Sequence, residues 1–287
     1  VPFTPGGAAD IVARSVGQKL TERWNQPAVV ENKPGAGGSI AVDYVVKSEP
    51  DGYNLLVADF GQMCINPALN PKLSYQPLRD LLPITPVAAV PLFFAVHPAL
   101  PITSAQTFID YVKAHPGFAY GSAGVGTSHH LSMELFRVRA GINVMHIPYK
   151  GGAQSVPAAI AGDIGLVVSA LGALLPHVKA GKLRLIAVTT LARSPLAPEV
   201  PPVSDVLPGY NVSDMVGFLA PSQTPVAIIQ SLNQSIVAIG QMPDFAKRLG
   251  ELGLEARVSS PEAYTELIRR TSQVFDKLIK DLGITAE

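Results

Sequence analysis

The most constraining feature of this sequence is the regular alternation of two hydrophobic periods. Short apolar or β-branched runs at 28–31, 54–58, 93–96, 118–120, 144–147, 164–168 and 184–189 read as strands. Between them, segments 10–24, 104–114, 128–140 and 153–161 place apolar residues every three or four positions, the period of an amphipathic helix. Strands that alternate with helices predict an α/β architecture, because each strand run needs a helix packed on its sheet face. Prolines cluster at 83–101 and 195–208, and beyond about Val212 the chain turns helical, at 226–240 and 261–282. These punctuation points predict an outer lobe, residues 1–97 plus 212–287, with a central α/β lobe, 98–211, inserted in it. A chain that crosses twice between lobes, near His97 to Ala99 and near Asn211 to Gly217, has a natural hinge, and a ligand cleft is expected between the lobes.

Composition removes several function classes. The 287 residues hold 22 Lys and Arg against 22 Asp and Glu, so no net field gathers nucleic acid or an anionic membrane surface. A bound anion must therefore be held by local groups. Every apolar run is broken by proline, glycine or a charge before the roughly 18 residues that a membrane span needs. The single cysteine, Cys64, cannot form an internal disulfide and lacks ligand-type neighbours at zinc spacing, so a buried thiol is expected and no metal site. No signal peptide is visible. Val1-Pro2-Phe3 stands directly before a glycine turn and reads as the end of a strand whose beginning lies upstream.

Two glycine loops each follow a strand-like run and open a helix: Pro5-Gly6-Gly7-Ala8-Ala9-Asp10, and Gly121 to His129. Small residues at a helix start leave backbone N–H groups pointing outward, a physical recipe for holding a carboxylate or phosphate. The plain alternative is that the glycines only make tight strand-to-helix turns. A third loop, Asn32 to Ser39, fails the dinucleotide pattern because no glycine follows three places after Gly38. The nucleophile-elbow pattern is absent around Ser122, where Tyr120 occupies the position of its first glycine. His129 and His130 are adjacent, so on a helix they point about 100° apart and cannot chelate one metal. His97, His115, His146 and His177 are expected to be structural or surface residues. Asp10 and Arg14, four apart on the first helix, read as a surface ion pair, and Asp51-Gly52-Tyr53 as a turn.

In order along the chain, Pro2-Phe3-Thr4-Pro5-Gly6-Gly7-Ala8-Ala9-Asp10, Asn32-Lys33-Pro34-Gly35-Ala36-Gly37-Gly38, Asp51-Gly52-Tyr53, Gly121 to His129, His146-Ile147-Pro148-Tyr149-Lys150-Gly151 and Leu207-Pro208-Gly209-Tyr210 resemble the tripartite tricarboxylate transporter receptors, or Bug family. The resemblance spans essentially the whole chain. It implies a two-lobed periplasmic binding protein of type II, without cofactor, acting as a monomer outside the cytoplasm. Such a protein captures a small organic carboxylate, aliphatic or aromatic, for membrane transporter subunits of the tripartite tricarboxylate type. It further implies that Phe3, Gly6, Gly7 and Ala8 line one wall of the cleft and Ser122, Gly124, Thr127, Ser128 and His129 the other, with Tyr149, Lys150 and Gly151 near its mouth.

The sequence departs from the family where small hydroxyl residues usually follow the strand 55–58, since Asp59 and Phe60 stand there. It departs again where an aspartate often follows the strand 164–168, since Ser169 and Ala170 stand there, and Met215 and Val216 replace an aromatic. Asp59 facing the ligand would repel an anion, and Phe60 would offer it a stacking surface. The alternative is that Asp59 only caps the next segment. An α/β hydrolase or transferase using Ser122, Ser128 or His129 in the same cleft is the second functional reading, and it requires a nucleophile with an oriented base.

Overall fold

The computed structural model describes residues 1–70, 72–149 and 151–285. α1 (Ala8–Trp24), α2 (Ser39–Val46) and β1 (Leu56–Ala58) are followed by two short helices, α3 (Asn66–Leu69) and α4 (Pro77–Asp80), and by the long strand β2 (Leu81–Val96). Next come α5 (Ala105–Ala114), β3 (Ala119–Ser122), α6 (Ser128–Ala140), β4 (Met145–Pro148), α7 (Gly152–Ala161), β5 (Leu166–Ala170), α8 (Leu171–Lys179) and β6 (Arg184–Val188). β7 (Ser213–Pro221), α9 (Val226–Gly240), α10 (Pro243–Glu251), β8 (Glu255–Ala256) and α11 (Pro261–Leu282) complete the order.

Contacts divide the chain into two compact units. The first comprises Val1–Val90, Asp214–Gly250 and Leu254–Thr285; the second comprises Pro91–Ser213 with Glu251–Gly253. The chain leaves the first unit inside β2 and returns at the start of β7, whereas the sequence places the first passage at 97–99. The difference arises because Pro83, Pro86 and Pro91 read as breakers but lie within a strand. β2 is buried along nearly its whole length, and a continuous apolar run of this kind is what a strand covered on both faces requires. Pro91 also falls between ladders: β2 pairs with β8 at Ala88 and Ala89, then with β5 from Leu92 and with β6 from Phe93. A missing N–H costs least at such a changeover.

In the first unit the neighbours run β1-β7-β2, with β8 also on β2. The expected strand at 28–31 does not form a ladder there: the segment is extended, and Val29 is 81% exposed. In the second unit β3 lies parallel to both β4 and β5, while β5 and β6 run antiparallel to β2. Its core includes Phe94, Phe108 and Phe136, whose rings meet at 5.2 and 5.8 Å.

Helix boundaries follow local chemistry. α5 opens on a reciprocal cap, in which Thr107 N donates to Ser104 Oγ and Ser104 N donates to Thr107 Oγ1. Ser260 caps α11, and Gly283 at φ 61° ends it in the left-handed conformation that glycine adopts without penalty. Cys64 is buried as expected, its Sγ 3.6 Å from Ile268 O.

Close packing in the first unit yields a stability test. Gly217 pairs with Ala58, and a methyl group added to it would stand 2.5 Å from Tyr264 Oη and 2.7 Å from Thr85 O. Gly217→Ala should therefore cost about 1–3 kcal/mol in urea unfolding by overpacking. Tyr264 Oη is buried without a hydrogen-bond partner, so adding Tyr264→Phe should recover part of that loss. Wild-type stability for Gly217→Ala would show that this contact relaxes freely.

Candidate functional site

The loop before α1 is built around a buried carboxylate. Asp10 Oδ2 accepts from Gly6 N and Arg14 Nε, each at 3.0 Å, and Oδ1 accepts from Asn32 Nδ2 at 2.9 Å. Asn32 Nδ2 also donates to Phe3 O, and Arg14 reaches Asn32 Oδ1. Asp10 is only 3% exposed, so the expected surface ion pair is in fact the hub that ties strand end, glycine turn and helix together. Burial alone would raise the Asp10 acid, but the hydrogen bonds from Arg14, Gly6 and Asn32 outweigh it and hold the carboxyl at about 2. Gly6 sits at φ 95°, a conformation that favours glycine, whereas Gly7 is at φ −78° with nothing within 4 Å of an added Cβ. Gly7 is the helix N-cap, and no side chain caps it. The first-turn amides of α1 therefore face outward at the positive end of the helix dipole.

A second feature of the same unit is the segment after β1. Asp59 opens a wide π-type turn, Gly61–Ile65, a form often found where a helix carries function. Gly61 N donates to Asp59 Oδ1 at 2.8 Å, and the preceding amide, Phe60 N, donates to Asp214 Oδ1 at 3.0 Å. Two carboxylates thus bracket consecutive peptide groups. Burial first, and the charge of Asp214 second, push the Asp59 acid well above the ordinary carboxylate range. Asp214 was invisible in the sequence reading because it lies 155 positions from Asp59 and carries no motif. Phe60 is 2% exposed, so in this conformation its ring is core rather than the expected stacking surface.

In the second unit the loop joining β3 to α6 is held from within. Gly124 and Gly126 take φ 132° and 72°. Thr127 caps α6, its Oγ1 accepting from His130 N and donating to Gly124 O at 2.8 Å, so its proton is already engaged. Ser122, fully buried, accepts from Gly124 N at 3.1 Å and lies 2.7 Å from His146 Nε2. His146 is stacked between two rings, with centroids 4.0 Å from His130 and 4.9 Å from Tyr120. Tyr120 in turn donates to Glu134, which is paired with Arg137. His130 Nδ1 accepts from Gly126 N at 3.1 Å, so that nitrogen carries no proton.

By sequence His146 is expected to be a structural or surface residue. The signal that finds it is the parallel register of β3 and β4, which sets Tyr120 opposite His146 and so puts Ser122, two residues on, on the same sheet face. Tyr149 borders the loop through Tyr149 N to Ser122 O, and its carbonyl lies 3.3 Å from where a Cβ on Gly124 would stand. His129 Nδ1 is buried without a hydrogen-bond partner. Ser128 and Ser169 are buried, Ser169 pairing with Phe93 in the sheet. Lys150 lies outside the described residues.

Ser122 and His146 have the spacing of a nucleophile and base, yet the rest of such a centre is missing. Among the described residues no carboxylate contacts the other nitrogen of His146, and Ser122 is not exposed to a substrate. Nor do three or more His, Cys, Asp or Glu side chains gather as metal ligands among the described residues.

The histidine stack predicts acid sensitivity. Burial lowers His129 and His146 from 6.5 to about 4, and His130 in the same direction. For His146 the neighbour His130 adds to the lowering and Glu134 opposes it; for His130, Glu134 opposes and Arg137 adds. The unfolded chain takes up protons first, so these groups destabilise the fold as pH falls below 6.5, until the folded form is protonated near 4. Across that window the melting temperature of the wild type should fall relative to that of His146→Asn. Equal slopes for the two proteins would show that His146 carries none of the titration.

Comparison with known proteins identifies the family. Residues 12–284 match the family described as the tripartite tricarboxylate transporter family receptor. The chain is 32% identical to the protein BugT of Bordetella pertussis over 99% of this chain and 88% of that one. Among solved structures, it superposes on the Rhodopseudomonas palustris protein Rpa4515 with adipate at a TM-score of 0.87, 32% identity, 99% of this chain and 96% of that one. MatC of the same organism, with bound malate, gives a TM-score of 0.81 at 27% identity, covering 97% of each. Two α/β units, each with a glycine turn at a helix start, and a match that runs almost from end to end place this chain in the tripartite tricarboxylate transporter receptor family.

Proposed function

We propose that the chain is a periplasmic solute-binding receptor, not an enzyme, which captures a small organic carboxylate and delivers it to a tripartite tricarboxylate-type membrane transporter. The observation that carries this reading is the start of α1, where Gly7 leaves the helix amides without a side-chain cap and Asp10 rigidifies the turn from behind. A carboxylate suits such a group of donors. Phe3, Gly6, Gly7 and Ala8 form the grip in the first unit; Gly124, Ser128, His129 and Tyr149 form it in the second. Ser122, Thr127 and Ser169 shape the second grip from below. The adipate and malate held by two structural relatives support an aliphatic carboxylate as the ligand class. The receptor acts as a monomer. Among the described residues no helix is long and apolar enough to cross a membrane, so the transporter subunits supply the path.

Thermal shift against a panel of mono- and dicarboxylates tests the reading. A ligand at about a hundred times its Kd adds roughly 2.7 kcal/mol to the folded state, so at least one member should raise the melting temperature clearly. Gly7→Val, whose Cβ meets nothing within 4 Å and whose backbone is ordinary, should weaken that ligand at least tenfold while costing the fold about 1 kcal/mol or less through the poorer N-cap. Turnover of the ligand by pure protein would overturn the receptor reading, and undiminished affinity in Gly7→Val would remove the α1 grip from it.

Asp59 and Asp214 are proposed to select among carboxylates. Burial and the neighbouring charge of Asp214 favour the neutral form of Asp59, so its ionisation, when it comes, adds a charge beside Asp214. Affinity for a dicarboxylate should therefore decline as pH rises through that ionisation, as repulsion grows. Asp59→Asn keeps the shape and cannot lose the proton, so its affinity should stay flat. The same decline in both proteins would assign Asp59 to capping Gly61 alone.

A further inference from the structure

The glycines of the third loop, Asn32 to Ser39, serve neither grip, and the backbone they form is unusual. Gly35, Ala36, Gly37 and Gly38 stand in succession at φ 125°, 48°, 62° and 95°. Glycine takes such angles freely, but at Ala36 the left-handed region is strained, so surrounding contacts must hold it. Two side-chain amides supply the hold: Gly37 O accepts from Asn66 Nδ2 at 2.8 Å and from Gln62 Nε2 at 3.2 Å. A Cβ added to Gly38 would stand 2.9 Å from Cγ and Nε2 of Gln62, so the glycine leaves the space which that side chain fills.

Gln62 is 2% exposed and engaged at both ends. Its Oε1 accepts from Asp59 N at 3.1 Å while its Nε2 donates to Gly37 O, and one donor plus one acceptor fix which way the amide points. Its main-chain carbonyl accepts from Tyr75 Oη at 2.9 Å. A buried amide satisfied in this way ties together two backbone segments that share no sheet ladder. At the other end of the loop, Asn32 Nδ2 donates to Phe3 O and to Asp10 Oδ1, and Asp10 Oδ2 accepts from Gly6 N. The loop is therefore a strut within the first unit. Asn32 fastens it to the glycine turn before α1, and Gln62 fastens it to the turn that carries Asp59.

We propose that Gln62 is a specificity-determining residue that acts through Asp59. By locking the Asp59 main chain to Gly37, it fixes the spacing from the α1 amides to Asp59, and so the length of carboxylate that this unit accepts. The inference rests on the receptor reading, with the α1 turn and Asp59 both facing the ligand. A carboxylate held by the α1 amides places its far end at a distance set by its chain length. A fixed Asp59 meets one length differently from the next, because repulsion depends on distance, whereas a loose one averages the difference away.

The test measures affinity for the straight-chain dicarboxylates from succinate to suberate by calorimetry, and amide exchange by NMR without ligand. Wild type should favour one length at least about fivefold over the far members of the series. Gln62→Met, which nearly keeps the volume and loses both bonds, should reduce that ratio to about twofold or less. It should also speed exchange at the Asp59 amide at least about tenfold, with the β1–β7 ladder unchanged. Gln62→Glu keeps the acceptor for Asp59 N and loses the donor to Gly37 O. It should lose the length preference while the Asp59 amide stays protected, and it serves in place of Gln62→Met should that variant fail to fold. Asn66→Ala removes the other donor to Gly37 O and should keep the preference. A preference equal in wild type and Gln62→Met, or lost as fully in Asn66→Ala, overturns the proposal, and so does unchanged exchange at Asp59. A wild type that binds all the acids alike overturns it too, while leaving the receptor reading intact. Binding of none of them is instead a failure of the receptor reading, and the Asp59 amide, measured without ligand, then decides whether Gln62 holds it.

Discussion

β2 is the constraint on which both units depend. Its sixteen residues bond to β7 and β8 on the first-unit side of Pro91, and to β5 and β6 beyond it. A strand that serves two sheets must be apolar throughout, since no part of it has a solvent face. That demand explains a run as hydrophobic as Val87 to Val96, and Pro91 is tolerated within it because its missing donor coincides with a change in pairing. Thr189 reinforces the second-unit end, its hydroxyl lying 3.0 Å from Leu92 O and 2.6 Å from Val212 O.

On this frame the two glycine turns are stabilised by opposite means. In the first unit a charged group, Asp10, is buried and fully paired, so the turn is held by hydrogen bonds to an anion that is ionised at any pH near neutrality. In the second, neutral aromatic rings do the holding: Tyr120, His146 and His130 stack beneath Ser122 and Gly126. The neutral imidazole of His130 accepts from Gly126 N without a charge being buried beneath the loop. The Ser122 and His146 pair, which at first sight has catalytic spacing, is accounted for by this supporting role.

The helical part of the sequence reading held well, because amphipathic periods and capping residues are local. Ser104 with Thr107, Thr127 before α6, and Ser260 before α11 mark helix starts within one residue of where the pattern begins. Strands were legible where burial alone decides them, as at 54–58 and 184–189. The stretch 28–31 has strand composition but no ladder, since a strand exists only through its neighbours. Asp10 shows the same limit at the site: its spacing from Arg14 was correct, and its burial under Asn32 could not be read from spacing. Asp214 lacked any local signature, and the motif that contains His146 did not reveal its contact with Ser122.

By itself the sequence determined the α/β class, the positions of the two glycine turns that open helices and the overall neutrality, and the order of its motifs carries the resemblance to the family. Hydrophobic period, glycine placement and composition do not depend on what lies far away in the chain. Only the tertiary structure decided that the chain passes between its units inside β2, that Asp59 and Asp214 bracket consecutive amides, and that Ser122 rests on His146. Each of these is a meeting of residues brought together by register or by crossover connection. Such meetings follow from sheet pairing and packing, whose partners a one-dimensional pattern does not name.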